Sequence, residues 1–416
     1  MRPQTRTALE SLGFRVSDHA EGETLGGEED ELELVEYEID VSTDADGEET
    51  GVPIVKLQPP AGLLSSNIRS RERLVFKNAH VNRVSEWLCA KDIQLNPYLD
   101  SDAGGVPRPT LRKLDRDSGT FLRDNGRIAA DAVVVVHGTF SRGDVLWKSP
   151  LATTILAATE RNPATQVYAF EYPSLSCSPF MSAAHLARFL PQRGKRLVFI
   201  GHSQGGLVIR WLLESMRRDL LGCSRAILVG APLHGTSLAS ARDLRAVVDH
   251  VANLSKFFER SATVAAFVVP YFAFVASAFA FTRKLIKGAA VASPLIDAAI
   301  ASVPSISAMQ PGPSNGELEA LSSIVSGFGE TPDYFFVTAS YSVNGPFWKH
   351  MANMQGYVRG RLAKLVFGEE DNDLVVDVRS MSVRPQSAER VLHKDGLHHC
   401  NYFEDVDVLN WIGALV

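Results

Sequence analysis

The chain has 416 residues, of which 45% are hydrophobic and 22% are charged. This composition is typical of a globular protein with a large core. The net charge of −6 gives no global reason to expect a nucleic-acid partner. Four widely spaced cysteines form no CxxC pair, which argues against a disulfide framework and fits a reducing compartment.

The N-terminal region is acidic. Its first residues, MRPQTRTALESLGF, lack the apolar core of a secretory signal, so we expect a cytoplasmic protein, with membrane association left open. Residues 1–50 are rich in Asp, Glu and Gly, which predicts a partly disordered acidic arm. Within it, ELELVEYEIDV at 31–41 alternates acidic and apolar residues, as a half-buried edge strand does. A solvated arm is favoured over a surface for a basic partner.

Residues 51–125 form a second region, predicted to be an N-terminal extension of unclear fold. Two apolar segments, LVFKNAHV and VSEWLCA, fit either two strands or one strand and a helix. The residues alone do not choose between these alternatives.

The pattern of apolar and polar residues changes near residue 126. AADAVVVVHG at 129–138 is a β-branched run ending at glycine, as expected for a strand buried on both faces. Similar runs alternate with helical patterns: QVYAFEY, RLVFIG, RAILVGAP and YFFVTASY. We therefore predict an α/β catalytic domain over 126–416, with a mostly parallel central sheet and helices on both faces.

The alternation breaks over residues 237–305, which we predict to be a helical apolar cap or lid insertion between two strands of the sheet. Its segment 261–281 carries no charge and is long enough to cross a bilayer core. Three interpretations compete for it: a cap over the active site, which is favoured, a peripheral membrane contact through 244–290, or a transmembrane span. The first two imply an apolar substrate.

The sequence RLVFI-GHSQGG-LVIRWLLESM indicates a strand, a tight turn and a helix. It matches G-x-S-x-G, with Ser203 as the candidate nucleophile and Gly201 and Gly205 as the glycines of the turn. Side chains two residues before or after the serine would collide with the neighbouring strand or helix. The alternative, a Gly-Ser turn without catalysis, is less favoured because of this context.

A second motif, VVVVHGTF at 133–140, ends a buried strand upstream. The backbone N–H of Thr139, with Phe140 as the fallback, would join the N–H of Gln204 in an oxyanion hole. His137 is interpreted as a structural residue that bonds the loop, rather than as the catalytic base.

Three segments together, HGTF, GHSQGG and GAPLHGTSLA at 230–239, resemble the lipase and esterase branch of the α/β-hydrolases. The resemblance covers roughly residues 130–416. It implies the α/β-hydrolase fold, ester hydrolysis of a lipid-like substrate without a cofactor, and triad residues in the order Ser, Asp, His.

The resemblance also implies where the acid lies. Lipases of this kind carry Asn-Asp-Gly-Leu-Val after a late strand, whereas this chain has Asn372-Asp373-Leu374-Val375-Val376, so the usual glycine is missing. Asp373 is the favoured acid, with Asp371 and Asp377 as alternatives.

The base is expected on the loop before the last helix. His399, in His-Cys-Asn-Tyr-Phe, fits best, with His398 and His393 as alternatives. The adjacent residues His398, His399 and Cys400 could be metal ligands. The sequence contains no second cluster of ligand residues to complete such a site, so no metal site is predicted.

The favoured function is therefore a serine hydrolase that cleaves carboxylic esters of an apolar substrate. Two other classes stay open: a catalytically silent hydrolase fold used as a membrane-binding or interaction module, and a thioesterase, acyltransferase or amidase with the same machinery.

Overall fold

The computed structural model describes only part of the chain, in these ranges: 15–18, 34–43, 49–54, 70–102, 104–239, 303–312, 315–327, 332–341, 371–382 and 390–416. The chain divides into two compact units. One comprises residues 1–88 and 268–303, and the other comprises 89–267 and 304–416. The predicted boundaries near residues 50 and 125 stay a prediction.

The first unit contains an antiparallel four-stranded sheet in the order β1-β4-β2-β3. Its strands are β1 (Arg15–Asp18), β2 (Leu34–Thr43), β3 (Glu49–Ile54) and β4 (Ser70–Lys77). Strand β2 lies where the acidic–apolar alternation predicts a strand. For the segments LVFKNAHV and VSEWLCA, the structure shows the second alternative: one strand, β4, followed by the helix α1 (Asn78–Leu95).

The second unit is built on an eight-stranded sheet in the order β14-β13-β12-β11-β9-β10-β7-β8. Its strands are β7 (Thr110–Asp115), β8 (Thr120–Asp124), β9 (Asp131–Val136), β10 (Gln166–Glu171), β11 (Arg196–His202), β12 (Ser224–Val229), β13 (Asp333–Ser340) and β14 (Val391–Asp395). Strands β9 to β14 pair in parallel, whereas β7 pairs antiparallel with β10 and with β8. A short ribbon joins β5 (Asp100–Ser101) to β6 (Pro107–Arg108).

The helices that follow α1 are α2 (Gly143–Trp147), α3 (Leu151–Glu160), α4 (Pro179–Phe189), α5 (Gln204–Trp211), α6 (Pro304–Ser307), α7 (Gly316–Gly327) and α8 (Val406–Leu415). A π-helical turn, Leu212–Met216, continues α5. Short 3₁₀ turns lie at Arg218–Cys223, Ser237–Ala239, Val378–Ser380 and Tyr402–Glu404. Asp405 accepts two backbone N–H bonds at the start of α8, which explains why that helix begins there.

Helices cover both faces of this sheet. On one face, Ile155 of α3 and Ile412 of α8 pack on Val133, Val135 and neighbouring strand residues in one buried cluster. On the other face, α5 packs against β11, and α4 packs against α5. Because successive strand residues point to opposite faces, a strand buried on both faces is a continuous apolar run. The predicted fold class, an α/β-hydrolase fold with a mostly parallel central sheet, is confirmed.

Two of the sheet's strands, β7 and β8, precede residue 126, where the sequence analysis places the start of the catalytic domain. The stretch predicted as a cap lies between β12 and β13, but residues 240–302 of it, including the apolar segment 261–281, lie outside the described residues. The structure therefore describes neither the predicted cap nor the predicted membrane contact through 244–290. None of the described helices is both long and apolar enough to cross a bilayer.

The sheet reverses its direction of winding at β9, because β10 lies on one side of β9 and β11 lies on the other. In open α/β sheets, ligands bind outside the carboxyl ends of the strands at such a switch point. The motif at 137–140 follows β9 directly, and the motif at 201–205 begins within the last two residues of β11, so the topology brings both to this edge.

Candidate active site

The turn at Ser203 is strained. It joins β11 to α5, and Ser203 has φ of 54° and ψ of −126°. This backbone region is costly for a residue with a side chain, and such strain is concentrated at functional sites. The Ser203 N–H donates to the carbonyl of Val229 at 2.9 Å, which ties the turn to the end of β12.

The glycines beside Ser203 allow close packing. A Cβ at Gly205 would lie 2.3 Å from the carbonyl oxygen of Val136, at the end of β9. A Cβ at Gly201 would lie 2.5 Å from Ile209 Cδ1 and 2.9 Å from the backbone of Gly205. Any side chain at either position would therefore push the start of α5 away from the sheet.

The loop after β9 passes directly beside the turn. A Cβ at Gly138 would lie 2.8 Å from Ser203 Cβ, so glycine permits this approach. The Thr139 hydroxyl donates to Gln204 Oε1 at 2.9 Å, which joins the two residues proposed to form the oxyanion hole. The Phe140 N–H donates to Ser174 Oγ at 3.0 Å. The Phe140 N–H is therefore engaged by a side chain, and the choice of Thr139 as the first donor stays a prediction.

The segment that holds Phe140 is itself anchored by a buried carboxylate. Asp92 of α1 accepts the N–H groups of Leu175 and Ser176, and also the Ser176 hydroxyl. Burial raises the pKa of Asp92 to about 6, although these hydrogen bonds act in the opposite direction.

His137 has the contacts of a structural residue. It is fully buried, its Nδ1 donates to the carbonyl of Gly138 at 2.8 Å, and its Nε2 accepts the N–H of Tyr172 at 3.4 Å. Burial lowers the pKa of His137, so the ring stays neutral. The ring stacks on Tyr172, whose hydroxyl donates to the His137 carbonyl at 2.6 Å.

The carboxylate of Asp373 is buried and fully hydrogen-bonded. Its Oδ1 accepts the N–H groups of Val375 (3.0 Å) and Val376 (2.8 Å). Its Oδ2 accepts His399 Nδ1 and the Tyr402 hydroxyl, each at 2.7 Å. Burial alone would raise the pKa of Asp373, but His399 and these donors lower it overall. Asp373 is therefore held as a carboxylate.

Leu374 occupies the position where the resembling lipases have glycine. Its φ is +77°, a left-handed conformation that is costly for a leucine. Asn372 supports the turn, since its Oδ1 accepts the Leu374 N–H at 2.9 Å. The missing glycine therefore leaves the tight turn in place, with strain at Leu374.

This strain predicts an inverted order of stability at one position. We expect Leu374→Gly to be more stable than Leu374→Ala by about 1 kcal/mol, because both lose the leucine contacts but only glycine relieves the strain. In an ordinary segment the alanine variant is the more stable one, by about 0.5–1 kcal/mol. Urea unfolding of both variants measures the difference, and a more stable alanine variant would show that the turn is unstrained.

His399 is fixed at three points. Its N–H donates to the carbonyl of Asp373 at 2.9 Å, its Nδ1 bonds the Asp373 carboxylate, and its carbonyl accepts Nε2–H of His202 at 2.9 Å. His202 immediately precedes Ser203, and the two imidazole rings lie 4.9 Å apart. The loop before α8 therefore places the His399 ring beside the strained turn.

The alternative acids lie elsewhere in the same loop. Asp371 is exposed. Asp377 accepts the N–H and the hydroxyl of Ser237 at 3.1 Å, which is a contact between loops. Neither bonds a histidine in the described part of the chain, whereas Asp373 does.

The alternative bases have other contacts. His393 lies within the edge strand β14, where its Nδ1 bonds the Thr338 hydroxyl at 2.9 Å. His398 is half-buried, and its Nδ1 accepts the N–H of Cys400 at 3.3 Å. Of the three candidates, only His399 is bonded to a buried carboxylate in the structure described.

Comparison with known proteins places the chain in a family. The family model described as "Domain of unknown function (DUF7379)" matches residues 110–416. The chain belongs to this family. The matched region begins at strand β7 and includes all the candidate site residues. No curated protein matches the sequence.

Several solved structures match this DUF7379 chain at low similarity. A Staphylococcus hyicus lipase is 13% identical, with a TM-score of 0.38, over 70% of this chain and 96% of the lipase. Lipase 1 from Pelosinus fermentans is 13% identical, with a TM-score of 0.40, over 69% and 98%. A thermostable carboxylesterase cloned from a metagenomic library is 11% identical, with a TM-score of 0.32, over 80% and 96%.

The third motif of this DUF7379 chain, residues 230–239, has a role that the sequence analysis did not identify. The Thr236 hydroxyl donates to the Val375 carbonyl, the Leu233 N–H donates to the Ser380 carbonyl at 2.9 Å, and Ser237 bonds Asp377. This segment therefore holds the loop that carries Asp373. The contacts span about 140 residues of sequence, so local patterns carry no signal for them.

Two further residues of the site were also missed: His202 and Tyr402. The first was visible as the variable residue of the G-x-S-x-G match, and the second as part of the aromatic pair after His399. Within the described ranges, no three His, Cys, Asp or Glu side chains cluster as a metal site requires.

Proposed function

We propose that this protein is a serine hydrolase that cleaves carboxylic esters of a lipid-like or other apolar substrate. Ser203 is the nucleophile, His399 the base and Asp373 the acid. The observation that carries the proposal is the 2.7 Å hydrogen bond from His399 to the buried Asp373, next to the strained turn at Ser203. This combination is the pattern of a nucleophile, a base and a residue that orients the base.

In the proposed first step, Ser203 Oγ attacks the ester carbonyl carbon while His399 Nε2 takes the hydroxyl proton. Because Nδ1 donates to Asp373, Nε2 carries the lone pair that this transfer needs. The imidazolium that forms is stabilised by the Asp373 carboxylate and then gives its proton to the leaving alcohol. Water attacks the acyl-enzyme by the same route, which releases the carboxylic acid and restores Ser203.

The negative oxygen of each tetrahedral intermediate is proposed to bind the N–H groups of Thr139 and Gln204. The hydrogen bond between the side chains of these residues, at 2.9 Å, supports this assignment, because it fixes the two loops relative to each other. Donors that are already in position stabilise a developing charge without reorganisation. Gln204 also begins α5, whose N-terminal dipole favours negative charge.

The proposed apolar substrate rests on the uncharged segment 261–281 of the sequence. This segment belongs to the insertion between β12 and β13. As a cap, or as a peripheral membrane contact through 244–290, it would present an apolar surface. The chemistry described needs neither a metal nor a cofactor. We propose a cytoplasmic location, and a membrane contact through 244–290 is the alternative to the favoured cap.

A chain-length series tests the substrate class. We expect kcat/KM for p-nitrophenyl esters to rise from acetate to hexanoate by about two orders of magnitude, because the acyl chain gains four CH₂ groups and each buried CH₂ contributes about 0.8 kcal/mol. The value of kcat/KM should be higher for the oxygen esters than for thioesters and anilides of the same acyl chain. A preference for acetate would exclude an apolar substrate, and a preference for thioester or amide would assign the machinery to that reaction instead.

The silent-module alternative makes the opposite prediction in the same assay. It predicts no turnover of any ester, together with liposome binding that is equal in the wild type and in Ser203→Ala. That pair of results would overturn the proposed hydrolase.

A further inference from the structure

Tyr402 is buried against the acid of the proposed triad. It lies in the 3₁₀ turn Tyr402–Glu404, directly after the loop that carries His399, and its side chain is fully inaccessible to solvent. Its hydroxyl donates to Asp373 Oδ2 at 2.7 Å, the oxygen that also accepts His399 Nδ1. One carboxylate oxygen therefore serves both residues.

The position of the Tyr402 ring is built into the end of β12. Gly230 has a φ of +55°, and a Cβ there would lie 2.7 Å from Tyr402 Cε2 and 3.1 Å from its hydroxyl oxygen. A residue with a side chain at 230 would displace the ring. The tyrosine hydroxyl also lies 3.6 Å from Met381 Sδ, so sheet and loop confine it from two sides.

The Tyr402 hydroxyl has the protonation state that this contact requires. Burial and the neighbouring charge of Asp373 hold the pKa of Tyr402 well above its ordinary value, so the hydroxyl keeps its proton. A neutral phenol donates one hydrogen bond, and the carboxylate can accept it. The Oδ1 oxygen is already held by two backbone N–H groups, so the hydroxyl completes four donors around one buried charge.

We propose that Tyr402 is a positioning residue of the triad. It fixes the rotation of the Asp373 carboxylate so that Oδ2 faces His399, and it takes up part of the charge that would otherwise act on the imidazole alone. The kinetic test of this proposal rests on the proposed function. A second measurement, the NMR resonance of the His399 Nδ1 proton, does not depend on activity.

The direction in which the pH profile moves when the Tyr402 hydroxyl is removed follows from the negative charge of Asp373. Without the Tyr402 hydroxyl, Oδ2 keeps only His399 as a donor, so the carboxylate stabilises the imidazolium more strongly. Because catalysis needs the neutral imidazole, the acid limb of the kcat/KM profile is expected to move to higher pH when the hydroxyl is removed. In the described part of the chain, His202 also lies beside the pair, and burial lowers its pKa to about 3, so it stays neutral over the range measured.

The test compares Tyr402→Phe with Tyr334→Phe. Tyr334 is a matched control, since it is also buried and donates to a buried carboxylate, Glu214 Oε1, at 2.5 Å. For Tyr402→Phe we expect the acid limb of the kcat/KM profile to move up by about half to one pH unit. We also expect the plateau kcat to fall about tenfold. Tyr334→Phe should leave the acid limb in place.

An unchanged acid limb in Tyr402→Phe, or an equal shift in both variants, would overturn the proposal. If Tyr402→Phe does not fold, 3-fluorotyrosine at 402, a stronger donor of similar size, should move the acid limb to lower pH. A shift to higher pH or no shift would contradict the assignment.

The second measurement separates this proposal from the proposed function. The proton on His399 Nδ1 should give a far-downfield NMR resonance, because it bonds a buried carboxylate. Tyr402→Phe should move that resonance, and Tyr334→Phe should not. If the wild type hydrolyses no ester but this pattern is seen, the proposed function fails and the role of Tyr402 stands. If the resonance is the same in all three proteins, the role fails.

Discussion

Alanine in place of Ser203 is expected to lower kcat for ester hydrolysis by about five to six orders of magnitude. Removing the nucleophile of a Ser-His-Asp enzyme leaves only the contribution of substrate binding and the oxyanion hole, a residual of about 10³-fold over the uncatalysed reaction. The measurement is the initial rate with the best p-nitrophenyl ester, after removal of contaminating esterases.

Ser182 provides the matched control for this variant. It is another fully buried serine of the same unit, in α4, so Ser182→Ala tests the effect of deleting a buried hydroxyl. We expect its kcat to remain within about threefold of wild type, because substitutions away from the site act mainly on stability. Equal activity of Ser203→Ala and wild type would remove Ser203 from the mechanism.

Asparagine in place of Asp373 is expected to lower kcat by about four orders of magnitude, with the fold preserved. The N–H groups of Val375 and Val376 fix which side-chain atom must be an oxygen, namely the one at Oδ1. The amide NH₂ then takes the place of Oδ2 and faces two donors, His399 Nδ1–H and the Tyr402 hydroxyl. His399 is forced into the other tautomer, in which Nε2 carries a proton and cannot accept one from serine.

The alternative acids serve as controls for Asp373→Asn. Asp371 is exposed, so Asp371→Asn should leave kcat unchanged. Asp377 bonds Ser237 across two loops, so Asp377→Asn should lower the midpoint of thermal unfolding more than it lowers kcat. A larger loss of kcat in either variant than in Asp373→Asn would reassign the acid.

The parts of the site that depend on neighbouring residues could be predicted from sequence. The turn at Ser203 lies between a buried strand and an amphipathic helix, and both are visible as local patterns of apolar residues. Each strand predicted from an apolar run is present, because a strand buried on both faces is a continuous run of apolar residues.

The edge of the sheet was harder to predict. Strands β7 and β8 form a hairpin in which the buried residues Leu111, Leu114 and Phe121 are interspersed with charged and exposed residues. An exposed edge tolerates such polar residues, so the segment resembles a loop-rich extension. Its place in the sheet depends on the pairing of β7 with β10, about 55 residues away, which no local pattern encodes.

The turn at Asp373 and the hydrogen bonds that hold it were also difficult to predict from local sequence. The missing glycine at 374 left the shape of the turn open, and the structure keeps that shape through a left-handed leucine. The hydrogen bonds from Thr236 and Tyr402 to the Asp373 loop join residues that lie far apart in the sequence. Such contacts are set by the packing of β12, β13 and the C-terminal loop rather than by the residues next to Asp373.

Covalent labelling of the native protein with a fluorophosphonate, followed by peptide mass spectrometry, tests directly whether Ser203 is an activated nucleophile. Such probes react with a serine that is activated by a neighbouring base. We expect one adduct, on Ser203, that forms rapidly in the wild type, is absent in Ser203→Ala and forms far more slowly in His399→Ala. No adduct on the folded wild-type protein, or an adduct on a different serine, would contradict the claim that Ser203 is an activated nucleophile.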